Sequence, residues 1–154
     1  MRSASFRNNS KCLCFTRGKC IITTGLLDGL LNDEEIAFVL AHEISHQIKE
    51  HNEKNIRKYL QLRQSLGEYG GNISNNVFKF LTVPLSVIDE YEADQGSIWL
   101  MSMAGFDPEK GIQVLDRWTQ IENHFDSSSF FSTHPPSYKR YACCAVLISQ
   151  AKVR

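Results

Sequence analysis

His42 and His46 stand four residues apart, with Glu43 beside the first, in the stretch AHEISHQIKEH at 41–51. On a helix the two imidazoles share a face and can reach one metal ion, and the neighbouring carboxylate can move a proton for whatever that ion activates. The pattern H-E-x-x-H is short enough to arise by chance, so its surroundings must decide. Here they are apolar. Ala37, Phe38, Val39 and Ala41 crowd the first two turns, and Ile36, Leu40, Ile44 and Ile48 recur every four residues, which predicts a helix buried nearly all round. Two imidazoles and a carboxylate in such a setting carry a large desolvation cost unless they bind something, and zinc is the usual partner at this spacing.

A catalytic zinc site commonly takes three protein ligands, so a third donor is needed. DEYEAD at 89–94 offers Glu90 and Asp94 one turn apart. With His42, His46 and Glu90 on the metal, Asp94 lies on the same face of its helix and can accept an N–H from a ligand histidine, fixing its tautomer. Asp89 and Glu92 are expected to point to solvent. The competing reading of the acidic cluster is an exposed helix start that complements the macrodipole. His51 is a further candidate, but a three-histidine metzincin site needs glycine at 49 and histidine at 52. Lys49 and a histidine one residue early stand there instead, so His51 is not expected to be a ligand. His134, from the residues alone, is a loop histidine before the stiff Pro135-Pro136 turn.

The elements that must position these groups read as mostly helical. Asn32 is an N-cap with Glu35 three residues on, and Asp33, Glu34 and Glu35 load the first turn with negative charge, so a helix starts at Asp33 through a capping-box-like turn. It is expected to run to about Leu66, where Gly67, Gly70 and Gly71 and the asparagines at 72, 75 and 76 mark a flexible break. A second long helix spans Ser86 to Ala104 with Gly105 as its cap, and Asp107-Pro108 begins a third with an apolar stripe of Ile112, Leu115, Trp118 and Ile121. A final helix covers Ser137 to Lys152. KCLCFTRGKCIITT at 11–24 reads as two short strands around Thr16-Arg17-Gly18. The class is α+β, mostly helical, with a small N-terminal β element.

At 154 residues and 42% hydrophobic content the chain fits one domain, residues 1–154, with a real core. Its formal net charge of zero gives no electrostatic argument for a nucleic-acid partner. Five cysteines, two of them adjacent, define no disulfide framework, and alternation in a strand accounts for Cys12, Cys14 and Cys20. The N-terminal stretch lacks the apolar region of a secretory signal, and no apolar run is long enough to span a bilayer. The nearest, VFKFLTVPLSVI at 77–88, contains Lys79 and Pro84 and reads as a core or interface-lying segment.

IITTGLL at 21–27, AHEISHQIKEH at 41–51, EYEAD at 90–94, AGFDP at 104–108 and STHPPSYKR at 132–140 follow one another in family order. On these residues the chain resembles the catalytic core of the M48-family zinc metallopeptidases, which are gluzincins. The resemblance implies a zincin-like core binding one zinc ion per chain through His42, His46 and Glu90. It implies peptide hydrolysis in which Glu43 takes the proton of a zinc-bound water. His134 would either stabilise the oxyanion or occupy the metal's open position, with Arg140, six residues later, holding that arrangement. The strand from Lys19 to Thr24 would pair with an unfolded or extended protein substrate, reading backbone more than side chains. The most similar branch works in protein quality control at the mitochondrial inner membrane, and the bacterial envelope is the alternative location. Val87-Ile88-Asp89 replaces a Ser-Arg pair often found before the glutamate motif, and the helices that commonly precede this core are missing, which implies a shortened or excised core. Two other readings stand beside the protease: a silent zinc-binding scaffold closed by the His134 loop, and a peripheral membrane module built on 77–88. Oligomeric state is not readable.

Overall fold

The structure is a computed structural model that describes residues 12–15, 19–65, 85–122, 134 and 137–152. β1 (Cys12–Phe15) and β2 (Lys19–Ile22) form the expected antiparallel hairpin, with Cys12 opposite Ile22 and Phe15 opposite Lys19; the 16–18 connection lies outside the described residues. A single turn, α1 (Thr24–Leu27), leads to α2 (Asp33–Ile48) and α3 (His51–Ser65). After the undescribed 66–84 come α4 (Val87–Met103), the short α5 (Pro108–Gly111), α6 (Gln113–Glu122) and α7 (Ser137–Lys152). The protein is mostly helical with a small β element.

The start of α2 departs slightly from the expected box. The Asn32 side chain accepts from the Glu35 backbone N–H at 2.9 Å as foreseen, but the Glu35 carboxylate accepts from Leu31 N–H at 2.8 Å rather than from Asn32. Glu35 is buried and also accepts from Arg117, which reaches the Gly29 carbonyl at 2.9 Å as well. One carboxylate therefore joins the α2 entrance to α6.

The helix expected to run to Leu66 is in fact two. Glu50 adopts φ 56°, the only positive φ at a non-glycine among the described residues, and its N–H bonds the Gln47 carbonyl at 3.1 Å while Lys49 N–H bonds Ser45 O at 3.0 Å. This left-handed cap ends α2 and costs a residue with a Cβ about 1–2 kcal/mol. Helix α3 restarts at once, turned back so that His51 faces α2. A similar cap closes α4 with the residue it favours: Gly105 has φ 80°, and Phe106 N–H bonds Met101 O at 2.9 Å. The start of α4 is a full capping box between Ser86 and Asp89, so the partly exposed Asp89 also serves the helix start.

The third predicted helix is interrupted at Ile112, between α5 and α6. Its stripe holds: Ile112, Leu115 and Trp118 are buried with Phe38, Val39, Met101, Cys144 and Ile148, while the Ile121 side chain lies outside the described residues. The expectation that α2 is buried nearly all round does not hold. Its covered face is Phe38, Val39, Ala41, His42, Ser45 and His46, whereas Ile44 is 38% and Ile48 66% exposed. The four-residue stripe instead borders an open groove of about 480 Å³, shared with Leu100, Met101 and Phe106 of the α4 end. On the opposite side α2 meets α4 closely: a Cβ on Gly96 would lie 2.5 Å from Ser45 Oγ.

Cys12, Cys143 and Cys144 are free thiols, and Cys20, opposite Cys14 in the ladder, is disulfide-bonded. Residues 77–84 of the apolar stretch lie outside the described residues; its last part, Val87 and Ile88, opens α4 with both side chains exposed. No helix among the described residues is long and apolar enough to cross a membrane.

Candidate metal centre

Two helices face each other across the buried site. Helix α2 contributes His42 and His46, one turn apart; α4 contributes Glu90 and Asp94, also one turn apart. His46 Nε2 lies 3.0 Å from His42 Nε2 and 3.3 Å from Glu90 Oε1, and His42 Nε2 lies 3.4 Å from Glu90 Oε2. His134, from the segment before α7, joins them with Nδ1 2.8 Å from Glu90 Oε2, and the four donor atoms all fall within 4.8 Å of one another.

These residues fit a metal ion. A tetrahedral shell at about 2.1 Å sets neighbouring donors about 3.4 Å apart, close to the spacing found among the three ligand candidates. Glu90 Oε1 is buried and accepts no hydrogen bond. An orphaned buried carboxylate oxygen is costly in an uncharged pocket and natural beside a cation.

The outer nitrogens of both histidines are engaged. His42 Nδ1 lies 2.9 Å from Asp94 Oδ1, the contact through which a carboxylate can orient a histidine ring. His46 Nδ1 lies 2.9 Å from His51 Nδ1, with the two rings edge to face at 5.0 Å between centroids. Arg140 enters from α7, donating through Nε to Asp94 Oδ2 and through Nη2 to Oδ1, and its Nη1 stands 3.4 Å from Glu90 Oε2. Arg140, expected to hold the His134 arrangement, thus contacts Asp94 and Glu90. Glu92 is half-exposed, as expected, but its Oε2 lies 3.3 Å from His51 Nε2.

Charge balance follows from this wiring. Burial and Arg140 oppose a proton on His42, yet the hydrogen bonds to Asp94 and Glu90 prevail and raise it to about 9. Burial lowers His46 to about 4. Burial pushes Glu90 upward, but His134, His42 and His46 overcome it and hold the carboxyl far below the usual range. The cluster thus gathers imidazole nitrogens and a carboxylate around one point, a donor set suited to a divalent cation.

Glu43 lines a narrow cleft with Phe38, Val39, His42, Trp118, His134 and Arg140, whose free space of about 10 Å³ is close to what one water needs. Burial raises its carboxyl above the ordinary range, against the pull of His134 and His42. A carboxylate poised nearer neutrality is what proton transfer in a cleft requires. All seven residues proposed from sequence, His42, Glu43, His46, Glu90, Asp94, His134 and Arg140, therefore meet here. Sequence reasoning weighed His51 only as a ligand, whereas the structure sets it behind His46, 2.9 Å from its Nδ1. The signal was only its buried partner, which no spacing rule reports.

Residues 9–144 match the model of peptidase family M48. This chain belongs to that family. M48 metallopeptidases are metal-dependent, and the M48 chain described here carries the His-His-Glu cluster for it. It is 36% identical over 134 residues to the mitochondrial metalloendopeptidase OMA1 of Saccharomyces cerevisiae, covering 80% of this chain and 39% of that protein. Over 145 residues it is 30% identical to OMA1 of Arabidopsis thaliana and to OMA1 of Schizosaccharomyces pombe, covering 91% and 89% of this chain. It spans 29% of the Arabidopsis protein and 43% of the fission-yeast protein, so it amounts to less than half the length of each of these relatives.

Proposed function

We propose that this M48 chain is the catalytic core of a zinc metalloendopeptidase that cleaves unfolded or extended protein segments, working in mitochondria in membrane-linked protein quality control. The observation that carries the reading is the convergence of His42, His46 and the unpaired Glu90 oxygen on one point, with Glu43 in the adjoining cleft. The mitochondrial assignment is supported by the names of the three relatives.

His42, His46 and Glu90 would hold the ion. When bound, zinc supplies Lewis-acid polarisation of water and of the scissile carbonyl. Glu43 takes the proton from the attacking water and returns it to the leaving amine, a role suited to its raised pKa. His134 stabilises the charge that develops on the carbonyl oxygen, with its Nδ1 held against Glu90. Asp94 and Arg140 keep His42 and Glu90 oriented. The outer edge of β2, without a ladder partner among the described residues, would pair with the substrate backbone.

The test is Glu43→Gln in zinc-loaded protein with an unfolded casein substrate. The amide preserves size and removes the base, so zinc content and fold stay and cleavage falls by roughly 10²-fold or more. Unchanged turnover in a preparation cleared of contaminating protease would reject the mechanism, and an inactive wild type that holds zinc would favour the silent scaffold.

A further inference from the structure

We infer that His51 is a positioning residue for the metal site: it accepts the Nδ1–H of His46, and Glu92 in turn accepts from its far nitrogen. The inference rests on the reading that His46 binds the ion through Nε2. In that state the neutral His46 ring must carry its hydrogen on Nδ1, and the only acceptor that ring nitrogen meets among the described residues is His51 Nδ1 at 2.9 Å. His51 Nδ1 must then be bare, which places the His51 hydrogen on Nε2, and that nitrogen lies 3.3 Å from Glu92 Oε2. Each hydrogen bond fixes the direction of the next, so the chain of groups has one consistent assignment.

The backbone is built to deliver this contact. His51 is 2% exposed although it is the first residue of α3. It reaches His46 because the left-handed Glu50 folds α3 back over the end of α2. A regular helix would carry residue 51 past His46, since positions five apart do not share a face. The strained residue and the buried histidine are one device. The two ligand histidines are thus backed differently, His42 by the buried Asp94 and His46 by a second ring tied to a half-exposed carboxylate.

Two substitutions separate hydrogen bonding from space filling. His51→Asn puts an amide oxygen the same number of bonds from Cα as Nδ1, keeping the acceptor; His51→Leu keeps bulk and loses it. Zinc affinity is measured by chelator competition, and the melting of each metal-free form is compared to match folding. His51→Leu is expected to weaken zinc binding by roughly 10- to 100-fold, the range for lost ligand-orienting partners, with His51→Asn within about threefold of wild type. Affinity within about threefold in His51→Leu, or an equal loss in both variants, would overturn the inference. Should His51→Leu not fold, nitrogen NMR of the zinc-loaded wild type decides: a bare His51 Nδ1 supports it, and a hydrogen on that atom overturns it. A wild type that takes up no zinc would overturn the proposed function and this inference together, whereas zinc uptake indifferent to both variants sinks the inference alone.

Discussion

Arg140 holds Asp94 by both carboxylate oxygens, Nε to Oδ2 at 2.8 Å and Nη2 to Oδ1 at 2.6 Å, and both side chains are buried. Such a pair is weak evidence of net stabilisation, but removing one partner strands the other charge in the interior. Arg140→Ala is therefore expected to lower the unfolding free energy by about 3–5 kcal/mol. Arg140→Lys should recover only part of it, because an ammonium cannot make the two-pronged contact. Denaturant unfolding of the metal-free proteins measures both, and a wild-type midpoint in Arg140→Ala would contradict the pairing.

Acid should expose the same pair. Burial alone would raise the Asp94 carboxyl, but Arg140 prevails and holds it at about 2, below its ordinary 3.8. A depressed carboxylate contributes stability that is complete above its unfolded pKa and is lost as pH falls through the folded one. The loss belongs between about pH 4 and pH 2 and amounts to about 2 kcal/mol at 1.36 kcal/mol per unit. Unfolding free energy measured down this range should fall more steeply in wild type than in Asp94→Asn; parallel curves would refute the assignment.

His134→Ala distinguishes two roles for an imidazole that sits 2.8 Å from Glu90 Oε2 and 5.6 Å, ring to ring, from His42. If it stabilises the developing oxyanion, turnover at equal zinc occupancy drops by roughly 10². That is the expected outcome. A rise in initial rate would mean that His134 blocks the metal's open position instead.

Glu50→Gly should stabilise the fold, since glycine carries no Cβ penalty in the left-handed cap that Glu50 now occupies at φ 56°. The gain expected in chemical denaturation is about 1 kcal/mol. A loss of stability would show that the glutamate side chain compensates for its backbone.

The candidate site was legible because metal chemistry demands particular residue types at helical spacing, and His42, His46, Glu90 and Asp94 satisfy that demand without reference to packing. Helix starts were legible for the same local reason: Asn32, Ser86 and Asp107 each cap the helix they precede. The break at Lys49-Glu50 was not, because neither residue disfavours helix strongly and the left-handed turn shows only in the backbone of Glu50. Nor was the half-open flank of α2. Periodicity shows which residues share a stripe, while tertiary packing chooses between that stripe and its neighbour, and here the buried one carries Phe38, Ser45 and His46.

Gly96 makes the metal site depend on a position that no motif contains. Its absent side chain lets α4 approach Ser45, where even a methyl group would sit 2.9 Å from the serine Cβ. The histidines ride on one of these helices and the glutamate on the other, so the width of the donor triangle is set by how near the two axes come. A homologous chain could keep every residue of H-E-x-x-H and E-x-x-x-D, replace this glycine with valine, and hold its ligands too far apart to close on an ion. Inactive members of such a family are therefore to be sought at helix crossings as well as among the signature residues.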